Sequence, residues 1–442
     1  MDASAYFRGK RVTVMGLGLL GRGVGDAKYL AECGAELVVT DLKSREQLAA
    51  SVAELEHFPN ITFVLGEHRL EDFRDRYLIL KAAGVPLDSP YIAEAKTHNI
   101  PVRMSADLFM ELSGIPVIGV TGTRGKSTTT HMVAAILGAA GKKVLLGGNV
   151  RGVSTLALLT EVGAGDVAIL ELDSWQCQGL GEARVAPHIA VFTTFYPDHL
   201  NYYKDNLETY LADKANIFHY QCQDDTLVVG AQVADLIRQK YGPSIMSHLE
   251  VTGADDLPAA WKLVVLGEHN RYNGALALAA ARAYGIEDAI SRRALESFSG
   301  VPGRLEFLRE VNGVKIYNDN NSTTPEGTMA GLRALGENST LITGGSDKEL
   351  DLDAFVAEIA DRVSHIVLLT HPNYKGSVRL AEQLKEAGIA FEEASSLAEA
   401  FEKARVATTK GSILFSPAFA SFGMFKNEYD RGDQFTALVQ AL

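Results

Sequence analysis

Two glycine-rich turns, far apart in the chain, constrain the fold more than any other feature of this sequence. The first, "GLGLLG", runs from Gly16 to Gly21, and the second lies within "GVTGTRGKSTTT", from Gly119 to Thr130. Each follows a short apolar run and precedes a helical pattern. A strand, a glycine turn and a helix form the phosphate-binding unit of many parallel α/β sheets. The sequence therefore predicts two such units in one chain.

The alternation of strand-like runs and helical patterns continues along the chain. The strand-like runs are "RVTVMG", "ELVVTD", "PVIGV", "KVLLGG", "VAILEL", "IAVFTT", "TLITGG", "HIVLLT" and "SILFSP". This pattern predicts parallel sheets covered by helices, and 442 residues correspond to about three domains. We expect an α/β protein with domains at 1–112, 113–300 and 301–442. "LSGIP" and the Gly/Pro hinge "SGVPGR" suggest these boundaries.

Composition excludes several classes of protein. The net charge of -13 disfavours general nucleic-acid binding, which needs a basic face. No apolar run reaches membrane-spanning length, and the N-terminus lacks a signal-peptide pattern. Cys33, Cys177 and Cys222 have neither paired nor metal-type spacing, which fits a reducing compartment. We expect a cytoplasmic protein with no nucleic-acid partner and no membrane span.

The first glycine turn has the layout of a dinucleotide-binding fingerprint, because it opens a helix and Asp41 ends the next strand-like run. Its glycines would allow a phosphate to approach backbone amides. The motif alone leaves three interpretations open: an NAD site, a site for another nucleotide, or a turn that packs a helix on a strand.

The second turn is more specific. The small residues of "TGTRGKST" can direct backbone amides at phosphate oxygens where the helix begins. Lys126 would then contact the β- and γ-phosphates, and the Ser127 hydroxyl can bind Mg2+. The segment departs from a standard Walker A sequence because Val120 stands where the first glycine belongs. A plain glycine turn with a surface lysine is the alternative interpretation.

Four further residues are candidates for a site near this turn. Glu171 ends the run "VAILEL", and Asp198 precedes His199 after "IAVFTT". Such strand ends meet at the ligand-binding edge of a parallel sheet, although a solvated acid and a structural histidine are the simpler interpretations. Lys214 shares an apolar helical stripe with Leu207, Tyr210 and Leu211.

The position of Lys214 predicts unusual chemistry. Burial disfavours the ammonium form of a lysine, and a neutral amine can take up CO2 as a carbamate that binds Mg2+. The alternative is that the side chain extends to solvent.

Together these residues resemble the Mur ligase family, ATP-dependent amide-forming enzymes of peptidoglycan synthesis, over essentially the whole chain. Thr121 to Ser127 match the family motif Thr-Gly-Thr-x-Gly-Lys-Ser/Thr, with Arg124 where an Asn is usual. "HNRYNGALALAAA", "GVPGR" and "YNDNNSTTPEG" resemble further family segments. The resemblance implies a Rossmann-like N-terminal domain, a central P-loop-type ATPase domain with a parallel sheet, and a Rossmann-like C-terminal domain.

The resemblance also implies roles for individual residues. The implied catalytic residues are Lys126, Glu171, His199 and Lys214. The implied ATP-binding residues are Gly122, Thr123, Gly125, Lys126, Ser127, Thr128, Asn270, Arg304 and Asp319. The implied Mg2+ ligands are Ser127, Glu171, His199 and the carbamate of Lys214.

Within the family, "GLGLLG", "GGSDKELDL" and "SPAFASFGMFKNEYDRGDQF" resemble the branch that adds glutamate to UDP-N-acetylmuramoyl-L-alanine. The first turn would then bind the uridine diphosphate and the second ATP. The implied substrate-binding residues are Gly18, Leu19, Leu20, Asp41 and Asn149, and the implied glutamate-binding residues are Asn321, Thr323, Lys348 and Ser421. Its partners would be these small molecules, and we expect a monomer.

Two departures leave the choice of amino acid open. Asn321 stands where the branch has a lysine, and Glu428 where an aromatic residue is usual. An L-glutamate-adding ligase is therefore an alternative to a D-glutamate-adding one. A folylpolyglutamate synthase would not need "GLGLLG", and an NAD(P)-dependent oxidoreductase leaves "TGTRGKST" unexplained. A nucleotide sensor without catalysis is a further alternative.

Overall fold

The computed structural model describes residues 3–18 and 21–442. Leu19 and Leu20, two of the predicted substrate-binding residues, lie outside the described residues. The fold is α/β and contains three separate sheets. Within the described ranges, no helix is long and apolar enough to cross a membrane.

The first sheet forms the N-terminal part of the chain. Its strands are β1 (Arg11–Met15), β2 (Glu36–Asp41), β3 (Ile61–Leu65), β4 (Leu78–Lys81) and β5 (Val102–Arg103). The associated helices are α1 (Ala3–Phe7), α2 (Arg22–Glu32), α3 (Ala49–Ala53), α4 (Pro90–Thr97) and α5 (Ser105–Ser113). All pairs are parallel in the order β3-β2-β1-β4-β5. The chain proceeds outward from β1 in both directions, which opens a crevice at the carboxyl end of β1.

The second sheet follows. Its strands are β6 (Val117–Thr121), β7 (Val144–Gly148), β8 (Val167–Glu171), β9 (Ile189–Phe192), β10 (Thr226–Gly230) and β11 (His248–Thr252). The associated helices are α6 (Lys126–Ala139), α7 (Ser174–Ala183), α8 (Leu200–Tyr203), α9 (Leu207–His219), α10 (Ala231–Tyr241), α11 (Glu268–Ala283) and α12 (Asp288–Glu296). This sheet is parallel in the order β11-β10-β9-β6-β8-β7, so β8 and β9 flank β6.

The third sheet is mixed. Its strands are β12 (Glu306–Val311), β13 (Val314–Asn318), β14 (Ser339–Thr343), β15 (Val363–Leu369), β16 (Glu392–Ala394) and β17 (Gly411–Phe415). The associated helices are α13 (Pro325–Leu335), α14 (Asp353–Arg362), α15 (Lys375–Glu386), α16 (Leu397–Ala407) and α17 (Glu428–Gln440). Its order is β12-β13-β17-β14-β15-β16, and the edge strand β12 runs antiparallel to β13. Short 3-10 helices occur at Leu70–Phe73, Ala157–Thr160, Gly242–Ser244 and Ala254–Asp256.

The chain divides into two compact units. Met1–Pro258 with Asn273–Ala294 forms one unit, which holds the first two sheets, and Ala259–Tyr272 with Leu295–Leu442 forms the other. The boundaries predicted at residues 112 and 300 stay predictions.

The predicted fold class is confirmed, and each strand-like run found in the sequence contains a strand. Several strands escaped the sequence analysis, including β4 and β5, which are four and two residues long. Such runs are too short to show a period, so their sheet partners decide their structure. The antiparallel strand β12 was also missed, because its half-exposed residues resemble a polar segment.

Aromatic packing under the third sheet gives a test of this core. Phe435 on α17 is fully buried, and its ring centroid lies 4.5 Å from that of Phe415 on β17. We expect Phe435→Ala to lower the free energy of unfolding by about 3–5 kcal/mol, because it leaves a cavity in a packed core. Phe422→Ala is the control, since Phe422 is 66% exposed and should change stability by about 0.5 kcal/mol or less. Equal effects in urea denaturation would contradict the packing described.

Candidate active site

The second glycine turn joins β6 to α6 at the carboxyl edge of the second sheet. Gly125 precedes the first residue of α6 in a left-handed conformation with φ 86°, and no side chain caps the helix. The first amides of an uncapped helix need acceptors, and its dipole favours an anion. The backbone therefore has the form of a phosphate-binding loop.

Close contacts require glycine at two positions of this loop. A Cβ atom on Gly122 would lie 2.0 Å from Thr193 Oγ1, and one on Gly125 would lie 2.4 Å from Asn273 Oδ1. Both residues also have positive φ, which disfavours other residue types. The two glycines thus let the loop pack directly against the end of β9 and against α11.

Two lysine side chains meet inside this loop. Lys126 Nζ donates to the carbonyl oxygens of Gly122 (3.0 Å) and Thr123 (3.2 Å). Lys214 Nζ, from α9, donates to the same Gly122 oxygen at 2.9 Å. Two cations that share one acceptor repel each other, and an added anion would relieve that repulsion.

Lys214 lies on the buried face of α9, as the helical stripe predicts. It is 2% exposed, and its ammonium group lies 4.9 Å from the centre of the Tyr210 ring. Burial, and after it the charge of Lys126, lowers the pKa of Lys214 to about 7. A substantial fraction of this amine is therefore neutral near neutral pH.

Arg124, the residue that departs from the family motif, is paired with an acid. Its Nη1 lies 3.0 Å from Asp198 Oδ2, which ties the loop to the segment before α8. His199 follows with φ 53°, and its ring centroid lies 4.8 Å from that of Trp175. The ion pair thus connects the phosphate loop to the segment that carries the predicted ligand His199.

Glu171 ends β8 beside the loop. It is 4% exposed, and its backbone pairs with Val120 of β6 and Gly148 of β7. Ser127, 7% exposed, lies in the first turn of α6 at the same edge of the sheet. A carboxylate and a hydroxyl fit Mg2+, which usually takes few protein oxygens and the phosphates of its substrate. In the described part of the chain, no three His, Cys, Asp or Glu side chains are grouped to hold a metal ion.

Two described amides of the first glycine turn have an acceptor within the chain. The amides of Leu17 and Gly18 donate to Asp41 Oδ2 at 2.9 and 3.1 Å, and the amide of Lys43 donates to Asp41 Oδ1 at 2.9 Å. A carboxylate of the chain itself therefore occupies the acceptor position of these amides. Asn149 lies nearby, because its Oδ1 accepts from Arg22 Nη1 at 2.8 Å.

Thr128 is buried in the first turns of α6, and the three remaining predicted ATP-binding residues lie in the second unit. Asn270 is 5% exposed and donates from Nδ2 to Leu266 O at 2.7 Å. Asp319 accepts from the amide of Leu305 (2.9 Å) and from Ser416 Oγ (2.7 Å). Burial raises the pKa of Asp319 to about 6, while these hydrogen bonds oppose the shift. Arg304 precedes Leu305, and its positive charge lowers the pKa of Asp319.

The structure brings two of the predicted glutamate-binding residues together. Lys348 Nζ donates to Thr323 Oγ1 at 3.2 Å. Asn321 instead donates from Nδ2 to Pro302 O at 3.3 Å. Ser421 is 2% exposed, and its carbonyl accepts from Tyr374 OH at 3.4 Å. A cation beside a hydroxyl can bind a carboxylate.

Arg431 on α17 is a structural residue of this region that the sequence analysis missed. It is fully buried and donates to Asn320 Oδ1 (2.6 Å), Asn320 O (3.0 Å) and Phe419 O (3.2 Å). It therefore holds the loop before Asn321 and the loop before Ser421 to one helix. Its position within the polar run "NEYDRGDQF" provides no signal of burial.

The phosphate loop yields a test with a matched control in the same element. Gly125→Ala should destabilise the protein by roughly 1–2 kcal/mol and weaken ADP binding, because a left-handed residue gains a Cβ atom against Asn273. Gly138→Ala, inside α6 with nothing within 4 Å, should instead stabilise it by about 0.5–1 kcal/mol. Denaturation and ADP titration measure both variants. Gly125→Ala with wild-type stability and affinity would contradict the close packing of the loop.

Three family models match successive parts of the chain. Residues 10–104 match the Mur ligase MurD-like N-terminal domain, residues 120–244 the Mur ligase middle domain, and residues 303–419 the Mur ligase glutamate ligase domain. The three matches follow the order of the three sheets.

Curated relatives match over nearly the full length. A UDP-N-acetylmuramoylalanine--D-glutamate ligase of Roseiflexus sp. (strain RS-1) is 35% identical, covering 98% of this chain and 99% of the relative. The protein of that name from Borreliella burgdorferi (strain ATCC 35210) is 33% identical, covering 97% of both chains.

Solved structures share the fold. UDP-N-acetylmuramate-alanine ligase MurC from Thermotoga maritima aligns with a TM-score of 0.62 and 19% identity, covering 98% of this chain and 99% of that one. Folylpolyglutamate synthase from Mycobacterium tuberculosis aligns with a TM-score of 0.56 and 16% identity, covering 75% of this chain and 93% of that one. From the full-length relatives and the three family models, the chain belongs to the Mur ligase family of ATP-dependent amide-forming ligases.

Proposed function

We propose that this protein joins D-glutamate to UDP-N-acetylmuramoyl-L-alanine with hydrolysis of ATP, a step of peptidoglycan synthesis. One observation carries the chemistry: Lys126 and Lys214 both donate to the Gly122 carbonyl inside a loop built for phosphate. The full-length similarity to D-glutamate ligases supports the substrates. The acidic chain and its cysteines support a cytoplasmic location.

The proposed reaction has two steps. A carboxylate oxygen of the alanyl group takes the γ-phosphoryl group of ATP, which gives an acyl phosphate and ADP. The glutamate amine then attacks the acyl carbon, loses a proton and displaces inorganic phosphate. Activation is needed because a carboxylate is a poor electrophile. Positioning and charge stabilisation provide the catalysis, since no covalent nucleophile is proposed.

The residues of the phosphate loop have different proposed roles in the phosphoryl transfer from ATP. Gly122, Thr123, Gly125 and Thr128 shape the loop, and Lys126 would exchange its carbonyl contacts for phosphate oxygens. Mg2+, when bound, would neutralise phosphate charge, with Ser127, Glu171 and His199 as its proposed protein ligands. Asn270, Arg304 and Asp319 are the proposed ATP-binding residues of the second unit.

We propose that Lys214 carries a carbamate. The neutral Nζ attacks the carbon of CO2, a C–N bond forms, and one proton leaves to solvent. The product is an anion beside Lys126, which would remove the repulsion between the two ammonium groups. The pKa of the Lys214 amine is lowered to about 7, so the neutral amine that this addition requires is present near neutral pH.

The carbamate can be tested through activity and through a spectroscopic signal. We expect Lys214→Ala to lose at least about a hundredfold in turnover, because removing one preorganised charge costs on that order. Acetate or formate should restore part of it by replacing the carbamate oxygens. Wild type in labelled bicarbonate should show a carbamate carbon signal that Lys214→Ala lacks. Lys142→Ala, an exposed control, should keep both. Full activity of Lys214→Ala would contradict the proposal.

The glutamate side chain or α-carboxylate is proposed to bind at Lys348, Thr323, Asn321 and Ser421. The Lys348–Thr323 contact of 3.2 Å supports this site. Asn321 supplies a neutral donor where the branch has a lysine, so Lys348 carries more of the charge complementarity. Gly18, Leu19, Leu20, Asp41 and Asn149 are proposed for the UDP-linked substrate, and the protein is proposed to act as a monomer.

The choice of amino acid is tested by phosphate release. With ATP, Mg2+ and UDP-N-acetylmuramoyl-L-alanine, we expect turnover with D-glutamate and little with L-glutamate. Lys348→Met should raise KM for D-glutamate about tenfold or more, because a charge-assisted contact is lost. Lys410→Met, an exposed control in the same unit, should leave KM unchanged.

Other results of these activity assays would favour the alternative functions. Turnover with L-glutamate alone would contradict the D-glutamate proposal and assign Asn321 and Glu428 to a reshaped pocket. ATP-dependent glutamate addition to a folate would favour a folylpolyglutamate synthase. Nucleotide binding without turnover of any acceptor would favour a sensor, and NAD reduction would favour an oxidoreductase.

A further inference from the structure

A cavity of about 200 Å³ lies beside the first glycine turn. Its walls include Gly16 and Gly18 of the turn, Arg22 and Gly23 of α2, and Lys81 at the end of β4. The cavity occupies the crevice at the carboxyl end of the first sheet, where open parallel sheets bind their ligands.

Lys81 is the unusual residue of this cavity. It is 3% exposed, and its ammonium group donates only to carbonyl oxygens, of Val85 at 3.0 Å and Ala82 at 3.4 Å. Among the described residues, no carboxylate forms an ion pair with it. Burial lowers the pKa of Lys81 to about 8, and Asp173 is the leading charge that opposes the shift. A buried cation without an ionic partner is costly unless a ligand supplies the anion.

The rest of the cavity also suits an anion. Helix α2 begins at Arg22 without a side-chain cap, so its positive end lies at the cavity wall. Asp26 lies at the wall as well, but its carboxylate accepts from the hydroxyls of Ser154 (2.6 Å) and Ser105. The Asp26 carboxylate is therefore hydrogen-bonded to two serine hydroxyls, and it forms no ion pair with Lys81.

We propose that Lys81 binds the diphosphate of the nucleotide-linked substrate, in the cavity between the first glycine turn and the start of α2. The amides of Leu17 and Gly18 already donate to Asp41, so these two donors of the turn are engaged within the chain. Lys81 provides the missing charge by replacing its Val85 contact with a phosphate oxygen. The identity of the ligand rests on the proposed function, but the role of Lys81 does not require turnover.

The test compares binding of uridine diphosphate and of uridine to the wild type and Lys81→Met by calorimetry. We expect Lys81→Met to weaken uridine diphosphate binding about tenfold or more and to leave uridine binding unchanged, because only the diphosphate contacts the ammonium group. Its resistance to urea should be equal to or above that of the wild type, because the substitution removes a buried, unpaired charge and keeps the apolar stem.

The control is Lys28→Met on the exposed side of α2, which makes the same change in net charge. It should bind uridine diphosphate like the wild type. Wild-type affinity in Lys81→Met, or an equal loss for uridine and its diphosphate, would contradict the proposal. A marked loss of stability would also contradict it, since it would assign Lys81 to the fold.

The role of Lys81 in uridine diphosphate binding can be tested separately from the proposed ligase activity. Uridine diphosphate binding that depends on Lys81, without D-glutamate-dependent phosphate release, would overturn the function and leave the inference standing. Turnover with D-glutamate together with unchanged affinity in Lys81→Met would overturn the inference alone.

Discussion

The phosphate loop depends on one shared acceptor, the carbonyl oxygen of Gly122. Lys126 and Lys214 both donate to it, at 3.0 and 2.9 Å, although their positive charges repel each other. The loop between β6 and α6 is closely packed, because a Cβ atom on Gly122 would lie 2.0 Å from Thr193 Oγ1 and one on Gly125 would lie 2.4 Å from Asn273 Oδ1. It keeps positive charge concentrated at the helix start, where a phosphate would be stabilised most.

A similar use of buried lysines recurs at the first sheet. The chain is acidic overall, with a net charge of -13. Even so, Lys81 at the end of β4 and Lys214 within α9 are almost fully buried. Burial lowers the pKa of each, and carbonyl oxygens provide their hydrogen-bond acceptors. Local charge, and not net charge, thus decides where an anionic ligand can bind.

The second unit relies on polar contacts to shape its loops. Arg431 links Asn320 and Phe419, and the Asp319 carboxylate fixes the backbone at Leu305. A buried guanidinium with several acceptors is costly to disrupt, because removing it leaves those acceptors unsatisfied. The loops that carry the proposed glutamate-binding residues are therefore held by Arg431 and Asp319, and the sequence around these two residues does not indicate this role.

The α/β class, the two glycine turns and the place of Lys214 on an apolar helical stripe could be predicted from the sequence, because each is a local pattern of strand, turn or helical period. The hydrogen-bond and ion-pair partners of these residues are visible only in the folded structure. Asp41 takes the amides of the first turn, Arg124 pairs with Asp198, and Lys81 faces a cavity, each through contacts between distant segments. Periodicity indicates which face of an element is buried, but only the packing of separate elements decides which charge lies opposite which acceptor.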